Sequence, residues 1–188
     1  MCIRDSNKVI ATSLDEKLYQ AFQILDYALL SAPGAPLKKA LMDAGIGKDI
    51  MGSYDNGIYQ PIFSIIAKNA EPQQKEQFVQ VIEDTLRKIV EDGIDRKALE
   101  AGINYHEFRF READFGNYPK GLMYGLDLFD SWLYDEKKPF IHMQAIPTFA
   151  FLKEPVSYTH LTSSMPVCIQ VLEKPWCQAQ VAWAHSFS

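Results

Sequence analysis

The sequence predicts an α+β fold, a mostly antiparallel sheet with helices packed on one face. Three observations carry that reading. The apolar spacing alternates between the 3.6-residue period of amphipathic helices and the short runs of strands, in the order β, α, α, β, β, α, α, α. A strong turn signal, Asp55-Asn56-Gly57, joins two strand-like runs into an antiparallel pair. The composition, 47% apolar and 23% charged over 188 residues, is that of a chain able to bury one sizeable core without disulfides or metals.

Lys8-Val9-Ile10-Ala11-Thr12 is short and β-branched and reads as the first strand. Ser13 then opens a helix. Glu16 follows at the spacing that lets each side chain satisfy the other's free backbone donor, and Leu18, Phe22, Leu25 and Leu29 share one face. Pro33, Gly34 and Pro36 break this helix, and a shorter one begins at Leu37 and ends near Gly45 and Gly47. Residues 49–54 and 60–67 form the hairpin. The second run is apolar on both faces toward its end, which places it inside the sheet, and Pro61 is tolerable only at its start.

Phe78, Ile82, Leu86 and Ile89 form the next helical stripe, widened by Val79 and Val90 and ended by Gly93. Asp95 can cap a further helix whose inner face holds Leu99, Ile103, His106 and Phe110. After Gly116, Pro119 suits a first-turn position ahead of Leu122, Leu126, Phe129 and Leu133. Three long helices therefore follow the hairpin.

Charge and composition narrow the partners. The 19 basic and 24 acidic side chains give a net charge of −5, which offers no general attraction to nucleic acid or to anionic membrane surfaces. No apolar run approaches the roughly 20 residues of a bilayer span, and the first six residues lack the apolar stretch of a secretion signal, so a cytoplasmic, soluble protein is expected. Cys2, Cys168 and Cys177 fit neither a disulfide framework nor a zinc ribbon.

Residues 156–188 break with this pattern. Glu173 and Lys174 are their only charged side chains, and no period of 2 or 3.6 is sustained. Together with Met1-Cys2-Ile3-Arg4-Asp5-Ser6, the run Val156-Ser157-Tyr158-Thr159-His160-Leu161-Thr162 looks like translated adaptor sequence. The expected organisation is a non-native leader over 1–6, one α+β domain over 7–155, and a non-native or disordered tail over 156–188.

Candidate chemistry is sparse. His106-Glu107-Phe108-Arg109-Phe110 approaches the H-E-x-x-H zinc motif, but Phe110 stands where the second ligand belongs, and H-x-x-E-H is absent. His106 therefore reads as a packed or hydrogen-bonded helix residue. Glu107 with Arg111, and Arg109 with Glu112, read as pairs on a solvated helix face. His142 has no acidic neighbour in sequence. Gly45-Ile46-Gly47 lacks the rest of any nucleotide fingerprint, and Ser31, Ser53, Ser64 and Ser131 lie outside G-x-S-x-G settings. No catalytic residue and no metal ligand is expected. At the hairpin tip, Tyr54, Asn56 and Tyr59 form either a peptide or interdomain contact or a simple hairpin cap.

Several blocks in order carry a family likeness: residues 29–41 (Leu29-Leu30-Ser31-Ala32-Pro33-Gly34 onward), Gly45-Ile46-Gly47-Lys48-Asp49, Gln60-Pro61-Ile62-Phe63-Ser64-Ile65, Phe115-Gly116-Asn117-Tyr118-Pro119-Lys120-Gly121-Leu122, and Trp132-Leu133-Tyr134. Over about residues 7–154 the chain resembles the presequence-protease branch of the insulinase and pitrilysin zinc metallopeptidases. The resemblance implies a much longer protein in which related α+β domains enclose a chamber for unfolded peptides. It implies zinc held by H-x-x-E-H in the first domain, where metal and glutamate activate the attacking water. This chain is similar to the second domain, which has the same fold without the metal. What carries over is a fragment that packs against the zinc-bearing domain, binds no zinc itself and shapes the wall that meets peptide substrates. The alternatives are a freestanding scaffold or interaction domain of the same fold, and a small-molecule-binding regulatory domain.

Overall fold

The computed structural model describes residues 3–113 and 115–157. Its strands are β1 (Ile3–Val9), β2 (Asp49–Asp55) and β3 (Ile62–Lys68), and its helices are α1 (Glu16–Asp26), α2 (Pro36–Asp43), α3 (Lys75–Asp92), α4 (Arg96–Glu112), α5 (Lys120–Trp132) and α6 (Ile146–Ser157). A π-helical turn, Tyr27–Ser31, continues α1. The expected α+β class and element order stand, with α6 added at the end.

The sheet is antiparallel in the order β1-β3-β2, so β3 is the interior strand. Its two apolar faces made that position necessary: Phe63, Ile65 and Ala67 are fully buried toward the helices, and Ile62, Ser64 and Ile66 lie half-buried on the other face. Among the described residues, helices cover only the first of these faces. On the second, Met51 pairs across Ile66 with Asp5, and Ser53 pairs across Ser64 with Asn7, whose amide oxygen accepts from the Ser64 hydroxyl at 2.5 Å.

α1 lies directly on the sheet, and the remaining helices pack around it. It buries Tyr19, Gln20, Ala21, Phe22, Ile24 and Leu25, a wider arc than a surface helix shows, because α4 and α6 cover its far side. Phe22 meets Phe63 edge to face at 5.9 Å. Burying each such ring contributes about 1.5–3 kcal/mol. The stripe Phe78, Ile82, Leu86 and Ile89 docks α3 on α2, and Leu99 and Ile103 dock α4 on α1.

Local rules set the ends of the elements. Gly47 takes φ +66°, and a Cβ there would lie 2.7 Å from the Lys68 carbonyl oxygen, so only glycine lets the chain enter β2 beside the end of β3. Gly93, at φ +84°, ends α3, and the Asp95 carboxylate accepts from the Lys97 backbone to start α4.

Two expectations are corrected. The first strand covers Ile3–Val9 and not residues 8–12, because Ala11 turns to φ +36°, a conformation that ends a strand. The first helix is capped by Asp15, whose carboxylate accepts from Leu18 N at 3.0 Å, and not by a Ser13–Glu16 box. Ser13 is instead fully buried, its N–H bonded to the Tyr59 carbonyl at 2.8 Å. Residues 3–6 pair with β3 through main-chain groups, which any side chains permit. Residues 158–188, nearly all of the expected tail, lie outside the described residues.

Candidate functional site

The hairpin puts the three expected contact residues on different footings. Tyr54, near the end of β2, turns inward, its ring 6.0 Å from Phe22 and 6.4 Å from Tyr19. Asn56 is half-buried in the turn. Tyr59 is exposed and rests on Tyr134 at 5.0 Å. The tip is thus a surface that leans on the residues just after α5.

Sequence reasoning missed a seam of titratable groups between this tip and α5. The Tyr19 hydroxyl donates to Asp130 Oδ2 at 3.2 Å, and the His142 ring stacks on Tyr19 at 3.8 Å. Burial pushes the Asp130 carboxyl up to about 6, opposed by the Tyr19 hydrogen bond and reinforced by the charges of Asp127 and Asp55. Burial raises Asp127 as well. Tyr19 is raised far above its ordinary range by burial and then by Asp130. His142, lowered to about 4 by burial, bonds to the Ser13 backbone. The seam is therefore neutral at His142 and acidic at α5, and it joins hairpin, α1 and α5 by side chains far apart in sequence.

His106 is a packed, hydrogen-bonded helix residue in this setting. It lies in edge-to-face contact with Tyr105 at 5.2 Å, and burial and the nearby Arg109 charge lower it to about 4 against a hydrogen bond to the Gln23 backbone. Glu107 corrects the expected solvated face. Its side chain is only 14% exposed and holds Arg111 at 2.6 Å and Lys153 on α6, a charge-assisted clamp between α4 and α6. Lys153 and then Arg111 keep the Glu107 carboxyl below its ordinary range. The residues of this turn do not fit zinc: one position is Phe110, and the carboxylate is committed to two cations.

α5 is built inside out. Leu122, Leu126, Phe129 and Leu133, the apolar residues read as following Pro119 in this helix, are 55%, 48%, 45% and 70% exposed. Met123, Asp127, Asp130 and Ser131 face the domain instead, and Ser131 is the helix's one fully buried residue. Phe129 and Trp132 stack at 6.0 Å on the outer side. The sequence held the signal: the polar residues 127, 130 and 131 share a face of their own. α5 also carries Gly121 and Gly125. A glycine inside a helix costs about 1 kcal/mol relative to alanine, and beyond the chain neighbours and the helix's own backbone no described atom lies within 4 Å of a Cβ built at either.

Among the described residues, no group of three or more His, Cys, Asp or Glu is placed to hold a metal ion, and no helix is long and apolar enough to cross a membrane. What the geometry offers is two surfaces, the helix-free face of the sheet with its hairpin tip, and the outer face of α5.

A profile of the family described as the Peptidase M16 inactive domain matches residues 9–105. Among curated proteins, the chain is 48% identical over 138 residues to Protein HypA of Clostridium perfringens, covering 73% of this chain and 14% of that protein. It is 35% identical over 123 residues to Presequence protease 1, chloroplastic/mitochondrial, of Arabidopsis thaliana, covering 65% of this chain and 11% of that one. The chain thus spans a small part of the curated relatives it matches. Two solved structures share its fold at 10% identity: a Bordetella parapertussis domain described as the inactive peptidase domain of a zinc protease, with a TM-score of 0.62 over 91% of this chain and 84% of that one, and a Bordetella pertussis Tohama I protein described as a zinc protease, with a TM-score of 0.63 over 91% and 85%.

Proposed function

The chain belongs to the Peptidase M16 inactive domain family, and from that premise we propose that it is one non-catalytic domain, residues 7–155, of a longer zinc-dependent oligopeptidase of the presequence-protease type. In this reading it is the second domain, follows a zinc-bearing one, and forms part of the wall of a chamber that takes unfolded peptides. The flanking segments 1–6 and 156–188 are foreign to it.

The observation that carries the wall role is the helix-free face of the sheet. A three-stranded sheet left uncovered on one side presents Met51, Ile62 and Ile66 among Asn7, Ser53 and Ser64, a mixed surface that suits transient contact with extended peptides of varied sequence. No group of three or more His, Cys, Asp or Glu placed to hold a metal lies there among the described residues, and the contribution to hydrolysis in this reading is through binding.

Kinetics of the polypeptide encoded by the uninterrupted reading frame test this. Met51→Arg, on the open face, should change KM for long peptides by about threefold or more, with kcat for short peptides and bound zinc unchanged, the pattern of a lost binding contact. Unchanged kinetics for long and short peptides would remove the wall role. An encoded protein that retains this domain but cleaves nothing would replace the proposal with the scaffold reading.

A further inference from the structure

We infer that the outer face of α5 is a helix-docking groove, and that its occupant is an α-helix from another part of the same longer polypeptide, crossing α5 at Gly121 and Gly125. The inference rests on the chain being one domain of a larger protein.

Three independent features meet on this face. Leu122 and Leu126 form one exposed ridge at four-residue spacing, and Tyr124 and Trp132, with Leu128 between, form another. Gly121 and Gly125, also four residues apart, form the floor between them. Neither glycine has a positive φ, and neither is crowded by any described atom, so nothing within the described domain requires the missing side chains. A floor without side chains between two apolar ridges accepts the ridge of a second helix at close axial approach, and matching four-residue rows favour a crossing of about −50°.

The chain spans 14% and 11% of its curated relatives, so most of a comparable polypeptide lies outside it. A helix tethered in the same polypeptide meets α5 at a high effective concentration, an advantage a second copy lacks.

The test compares Gly125→Leu, and separately Gly121→Leu, in the 188-residue chain and in the polypeptide encoded by the uninterrupted frame. In the short chain each leucine enters open space with better helix propensity, so the midpoint of thermal unfolding stays or rises. In the long polypeptide each fills the groove, and the midpoint falls. Hydroxyl-radical footprinting gives a readout that survives a variant's failure to fold, because it is first made on the unaltered proteins. Leu126 and Trp132 should oxidise several-fold more slowly in the long polypeptide than in the short chain, and Gly125→Leu should remove that protection. Stabilisation in both settings, or equal oxidation in both, would overturn the inference. Both proteins are footprinted at a concentration where sedimentation shows the short chain to be monomeric; protection in the long polypeptide that disappears on dilution would also overturn it, in favour of a second copy. Peptide hydrolysis is read in none of these, so a failed wall role would show in the Met51→Arg kinetics and leave these results unchanged.

Discussion

Asp26 closes α1 with Oδ1 buried and unbonded against Gly52 of β2, so close that a Cβ on Gly52 would overlap both it and Leu30. Burial pushes this carboxyl from 3.8 up to about 6. A raised folded value means that the protonated form is the one the fold prefers. Stability is therefore fully present below pH 3.8, is lost as pH rises through about 6, and is flat above. Asp26→Asn removes the charge, and the melting midpoint should rise by about 2–4 °C at pH 8 and by much less at pH 4, as thermal scans across that range will show. Gly52→Ala should lower stability by about 2 kcal/mol through overpacking. In a denaturant double-mutant cycle, Asp26→Ala should recover part of that loss, because the two positions share one space.

Between elements, Glu107 is the clearest tie. Its depressed carboxyl contributes stability that is present above its unfolded value of 4.5 and is lost as pH falls through the lower folded one. Glu107→Ala should destabilise by about 1–2 kcal/mol at pH 7, and chemical denaturation should show its midpoint converging with the unaltered protein's as pH drops below 4.5. The clamp also marks the limit of what was legible. Glu107 with Arg111 can be read from sequence, since one helical turn separates them, but Lys153 is 46 positions away and no local pattern reveals it. The hairpin, the interior place of β3, the Gly93 stop and the Asp95 cap were legible because each depends on neighbours in sequence. The cap at Asp15 was missed because Ser13 offered an equally good local pattern, and only burial under Tyr59 removes Ser13 from that role. α5 shows the same limit. Periodicity identifies which residues share a face, but it does not say whether this domain or another body covers that face. At the hairpin tip, Tyr54 and Tyr59 were visible as a pair, whereas Asp130, Tyr19 and His142 meet only through the fold.

For the whole molecule, the described residues leave one face of the sheet without helices and the apolar side of α5 outward. Exposed apolar surface on this scale drives association when its partner is missing. The isolated 188-residue chain should therefore sediment as concentration-dependent oligomers, and Leu126→Asp with Phe129→Asp should shift it toward monomer, as sedimentation velocity will show. Among the described residues, the turn that comes nearest to a zinc motif is otherwise engaged: His106 is half-buried and bonded to backbone, Phe110 fills the second ligand position, and Glu107 is clamped between two cations. Zinc content and peptide cleavage, measured together on the purified chain, bear most directly on whether this domain acts by shape alone. Far less than one zinc per chain and no cleavage is the expected pair of results; stoichiometric zinc with cleavage that disappears in His106→Ala would contradict it.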